Sequence, residues 1–185
     1  MSQQMFARLT SNMDGKGFIL NSKLKFNFEH DYKRFNIFNS FFRSKNLSFN
    51  NKSLVILKPY FYTDSKFDIL SFNHKIIENS NFKKLFEEKN FLKKINSKNE
   101  INFISKKFNN DLIDNLNLKV DIAYGRMKYI KKFSISKNYF NCNGNMNFLD
   151  DYPLLNFDCV IDSKDKENLL RKFSIKTKSK NKVLK

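Results

Sequence analysis

Thirty-five lysine and arginine side chains stand against eighteen aspartate and glutamate side chains in these 185 residues, a formal charge of +17. Self-repulsion on that scale opposes compaction, so the chain needs either a substantial apolar core or a polyanion set against it. Apolar material is present: 41% of the residues are hydrophobic and 22 are phenylalanine, enough to drive collapse of a single domain. No stretch approaches the roughly 18 uncharged apolar residues of a spanning helix. Two cysteines, Cys142 and Cys159, allow one bridge at most, which excludes a secreted disulfide scaffold. So few thiols fit a reducing compartment, where both would act as small buried hydrophobes.

Composition also bears on origin. The chain holds 30 Lys and 27 Asn but only 2 Ala and 5 Arg. Codons for Lys, Asn, Phe and Ile are built almost wholly from A and T, so this bias points to a very AT-rich genome such as that of an organelle. Residues 1–20 lack the basic and apolar regions of a secretory signal and the Arg- and Ser-rich pattern of a transit peptide. A protein made inside a mitochondrion is the expected source.

Along the chain, no repeat of 20–50 residues is visible. Residues 17–28 alternate late in the run, a strand signal through Leu24, Phe26 and Phe28. Residues 31–43 read as an amphipathic helix with Phe35, Phe38, Phe41 and Phe42 on its apolar stripe. The run 54–57 reads as a buried strand ended by Lys58-Pro59. Further helices are expected at 81–95, 107–116 and 163–173, the last opened by Asp162 and Asp165. Residues 118–124 and 129–135 alternate as strands, with Gly125-Arg126 permitting a tight connection. The asparagine-rich run 141–151 reads as a loop, because Asn and Gly tolerate positive φ. Residues 154–161 form another strand candidate. The expected fold is therefore α+β: a mainly antiparallel sheet packed by helices over residues 1–175, with an irregular insertion around 60–117 and a basic tail at 176–185.

Catalytic signals are weak. His30 and His74 are the only histidines, and His30 lies between Glu29 and Asp31 as a helix start would place it. The cysteines lack further ligands for zinc. The segment Asp14–Gly17 lacks the phosphate-loop pattern and reads as a turn. Asp150 and Asp151 read as solvated loop acids. Neither a catalytic residue nor a metal ligand nor a cofactor is expected, and a maturase-like nuclease would want clustered acids that this chain disperses.

Charge carries the functional reading. Arg126, Lys128, Lys131, Lys132 and Lys137 fall in an acid-free run interleaved with Tyr129 and Phe133. Residues 171–185 hold seven cations and no acid, among them Arg171, Lys172, Lys176, Lys178, Lys180 and Lys182. Cations beside aromatics suit a phosphate backbone with occasional base stacking. Lysine is a flexible point charge, so its dominance over arginine favours backbone contact over sequence reading. Some phenylalanines, with Phe41, Phe42, Phe140 and Phe148 as candidates, would anchor neighbouring proteins.

The C-terminal third resembles the universal large-subunit ribosomal protein five family. The resemblance rests on Asn143-Gly144-Asn145, on residues 156–173 (NFDCVIDSKDKENLLRKF), on residues 118–130 (LKVDIAYGRMKYI) and on Asn12-Met13. It implies a structural protein of the mitochondrial ribosome that binds folded ribosomal RNA. Its partners would be that RNA and neighbouring ribosomal proteins, without a small-molecule substrate, and its location the matrix. On the matching pieces, Arg126, Lys128, Asn143 and Asn145 are the implied RNA contacts. The alternatives are a small-subunit ribosomal protein and an accessory subunit of a respiratory or ATP-synthase complex, whose basic tail docks on anionic lipid.

Overall fold

The structure, a computed structural model, describes residues 11–19, 22–73, 89–104 and 113–175. Ten strands lie in one sheet in the order of the chain: β1 (Ser11–Ile19), β2 (Ser22–Asp31), β3 (Arg34–Arg43), β4 (Leu47–Ile56) and β5 (Tyr62–Phe72), then β6 (Asn96–Ile104), β7 (Asn115–Ala123), β8 (Arg126–Ile135), β9 (Asn138–Asn147) and β10 (Leu155–Asp162). Every neighbouring pair is antiparallel except β5–β6. A parallel pair needs a crossover, and the chain between those two strands contains α1 (Lys89–Lys94). After β10 comes α2 (Lys166–Lys172).

This corrects the α+β expectation: the fold is an all-β mixed sheet, and its two described helices span six and seven residues. The expected helix at 31–43 is a tight turn and β3. A β-bulge explains the misreading. Asn39 adopts a positive φ of 47°, and the pairing with β4 slips between Ile37 and Ser40. One extra residue moves the apolar face from Phe35 and Ile37 to Ser40 and Phe42, which imitates helical spacing. Asp31 closes the preceding turn, its Oδ1 accepting from the backbone N–H groups of Lys33 and Arg34. The Lys33 N–H is the main cause holding its carboxyl below the usual carboxylate range.

The run 141–151 is not a loop either. Residues up to Asn147 form β9, and the turn begins at Phe148. Asp14–Gly17 is not a turn but the middle of β1, paired with β2 from Asn27 to Leu24. The β7–β8 connection follows its sequence signal: Tyr124 and Gly125 take φ of 51° and 74°, the two positive values that match the twist of a hairpin. Residues 81–88 and 107–112 lie outside the described residues, and Asn115 and Leu116, expected to end a helix, open β7.

Asn138 ties the sheet to α2. It is fully buried; its Nδ2 donates to the carbonyls of Ile135 and Ser136, and its Oδ1 accepts from Ser163 Oγ and the Asp165 N–H. Asp165 then caps α2 by accepting from the Asn168 N–H. Removing the Asn138 amide leaves several buried groups without partners, at about 1–3 kcal/mol for each truly stranded one. Asn138→Ala should therefore cost about 2 kcal/mol in urea denaturation; a loss below about 0.5 kcal/mol would show that water replaces the amide.

Candidate functional site

Because side chains alternate along each strand, register decides what shares a face. From β2 to β10 the pairings collect Leu24, Phe26 and Phe28 with Phe35, Ile37, Phe42, Phe49, Val55, Phe67 and Ile69 on one side of the sheet. Ile101, Phe103, Leu116, Leu118, Val120 and Ile122 continue that side through β6 and β7. Met127, Tyr129, Phe133, Phe140, Cys142, Met146, Leu155, Phe157, Cys159 and Ile161 complete it. Rings meet along it: Phe42–Phe49 at 5.7 Å, Phe49–Phe67 at 5.6 Å and Phe133–Phe140 stacked at 4.4 Å.

Polar exceptions on this face are mostly small and sunk between the rings. Ser40, Ser53, Ser65 and Ser97 are buried, Asn51 and Ser53 bond each other, and Asn99 donates to Ser97. Few of the large side chains are. Among the described strand residues, only Leu116, Ile135 and Cys142 of the apolar set are buried, while Phe157 is 61% exposed. Among the described residues no second sheet lies over the face, and the two described helices, about 10 Å long, cannot cover ten strands, which extend about 43 Å across.

The edge at β10 is held by covalent and steric means. Cys142 and Cys159 are directly opposite in β9 and β10 and form a disulfide. The expectation of two reduced thiols is thereby corrected: a register that places two sulfurs side by side was invisible in a spacing of 17. Two residues along, Tyr129 lies across Gly144, whose position a Cβ would bring to 2.5 Å from the ring.

The opposite side is polar. One row across it reads Asp64, Lys98, Asp121, Lys128 and Asn145; the next reads Lys66, Glu100, Lys119, Ile130 and Asn143. Acids thus alternate with lysines in lateral positions, where opposite charges are mutually favourable. Of the expected RNA contacts, Arg126, Lys128, Lys132, Asn143 and Asn145 share this side, and Lys128, Asn143 and Asn145 line a shallow depression with Lys119 and Asp121. Lys137 occupies the β8–β9 turn, and Arg171 and Lys172 end α2. Lys131 points the other way, its Nζ 4.6 Å from the Phe133 ring centre. Lys176, Lys178, Lys180 and Lys182 lie outside the described residues, as does His74.

Of the four phenylalanines expected to anchor neighbours, Phe42 and Phe140 lie on the apolar side, Phe148 is buried at 5% exposure, and Phe41 sits under the Arg43 guanidinium on the polar side. Sequence reading missed the apolar side as a surface. Its only local signal was the period-two alternation in residues 24–28, 118–124 and 129–135, which marks strands without showing that all of them align.

These observations define a class: an open, two-faced β-sheet with one continuous apolar side. No family model, curated protein or solved structure matches this chain. Among the described residues no helix is long and apolar enough to cross a membrane, and no group of acids, histidines and cysteines is disposed to hold a metal ion.

Proposed function

We propose that the protein binds the acyl chains of lipids along the apolar side of its sheet. One observation carries this reading: across β2 to β10 about two thirds of that side is Phe, Leu, Ile, Val and Met, with Ser, Thr and Asn between them mainly in β4 to β6, and no described layer covers it. Soluble proteins rarely leave contiguous apolar patches beyond a few hundred Å² in water. Burying methylenes contributes about 0.8 kcal/mol each, so about sixteen of them supply roughly 13 kcal/mol, and an association cost of about 5 kcal/mol leaves roughly micromolar affinity. A closed membrane barrel fits less well, since it would be an antiparallel ring, whereas β5–β6 is parallel and, among the described residues, β1 and β10 end the sheet. The disulfide supports an oxidising compartment.

The test is titration with a fluorescent long-chain ester. The native protein should bind it, Val120→Asp and Phe67→Asp should weaken binding at least tenfold, and Lys128→Glu on the polar side should not. Equal effects on the two sides, or a native protein that does not bind, would overturn the reading.

The charge of +17 and the acid-free run 126–137 favour a second reading, the mitochondrial ribosomal protein that binds ribosomal RNA. The polar side would then meet phosphates and the apolar side a neighbouring protein. The alternating acids speak against a dense phosphate footprint there. With six to ten phosphate contacts, RNA affinity would fall by about 10³–10⁵ between 50 and 200 mM salt. A flat response would sink this reading.

A further inference from the structure

Among the polar exceptions on the apolar side, which include His30 stacked on Phe35, there is one lysine. From β2 to β10, the described residues on that side include no aspartate or glutamate and a single lysine, Lys131. Its lateral neighbours are Leu118 and Cys142, and along its own strand it lies between Tyr129 and Phe133. It is half-buried, and its ammonium rests over the Phe133 ring at 4.6 Å, an attraction weaker than a carboxylate or phosphate would provide. On the polar side Lys98 has Asp64 and Asp121 beside it and Lys119 has Glu100, whereas Lys132 lies between Asn117 and Asn141; what sets Lys131 apart is an apolar surround on both sides.

A cation set into an apolar surface is desolvated on the side facing that surface. It therefore favours an anion that arrives with its own apolar body, since the two parts are recognised by adjacent groups. We infer that Lys131 is the headgroup anchor of this surface and that the natural ligand is an anionic lipid, its chain along Leu118, Val120 and the Phe133–Phe140 pair. Tyr129, the next residue on the same side, places a phenol within the same neighbourhood of the sheet. This inference rests on the acyl-chain reading above and narrows it from apolar chains in general to chains that end in a negative charge.

The experiment compares two fluorescent probes with the same chain, a long-chain fatty acid and its methyl ester, on the full protein and on Lys131→Met and Lys131→Arg. Methionine keeps the apolar volume, and circular dichroism checks that the sheet survives. The native protein should bind the acid roughly tenfold more tightly than the ester. Lys131→Met should lose that preference while leaving ester affinity within about twofold, and Lys131→Arg should retain it. An unchanged preference in Lys131→Met, or ester bound as tightly as acid by the native protein, overturns the anchor while leaving the acyl-chain reading intact. Failure of the native protein to bind either probe overturns both.

Discussion

Gly144→Val is expected to lower stability by about 3 kcal/mol and to loosen β10 from the sheet, as overpacking does where the neighbours cannot yield. A Cβ at this position would lie 2.5 Å from Tyr129 Cε1 and 2.8 Å from its Cζ, and 2.7 Å from the carbonyl oxygen of Asn156. The tyrosine ring can rotate away. The carbonyl cannot, because it belongs to the backbone of β10, directly alongside β9. The strands must therefore separate locally, and hydrogen exchange should rise first at residues 155–162. Tyr129→Ala combined with Gly144→Val should recover only part of the loss. Full recovery would show that the ring alone excludes a side chain here, and a cost below about 1 kcal/mol would show that neither contact matters.

Removing the Cys142–Cys159 bridge is expected to have an effect of similar size. Closing a loop of this length, with a sequence separation of 17, restricts the unfolded chain by about 3 kcal/mol in the loop-entropy account. The native state should also change, because β10 is exposed along its whole length and pairs on one side only. Urea denaturation with and without reductant should separate by that amount, and the doubly substituted Cys142→Ser, Cys159→Ser chain should match the reduced protein. Because both changes act on the β9–β10 seam, their effects should not add. Gly144→Val should cost less in the reduced protein than in the oxidised one; strict additivity would mean that the bridge and the glycine act on separate parts of the structure.

Several elements were legible because their signals are local. The hairpin of β7 and β8 shows alternation on both sides of Tyr124-Gly125, the turn whose two positive φ values suit a hairpin. The strand at β10 falls within the expected run 154–161, and α2 falls within the expected helix 163–173, although Asp165 rather than Asp162 caps it and the helix starts at Lys166. Elsewhere a local signal misled. In β3 the bulge at Asn39 shifts the apolar face by one residue, and two half-strands out of phase look like a helix when the chain is read alone. In β9 the repeated asparagines suggested a loop, yet Asn141, Asn143, Asn145 and Asn147 alternate with Phe140, Cys142, Gly144 and Met146, and the glycine is there to admit a ring from the next strand.

Charge and apolar content are properties of the list of residues, so the sequence alone determined that this chain carries a large positive excess and enough phenylalanine to collapse. Periodicity of two marked three of its ten described strands, β2, β7 and β8, for the same reason: it needs only neighbours along the chain. Which lysines stand beside acids, that Cys142 meets Cys159, and that Leu24, Val120 and Phe157 lie on one side of the sheet were decided by the tertiary structure. Those facts depend on register between strands, and a slip of a single residue would turn every side chain of a strand to the opposite face.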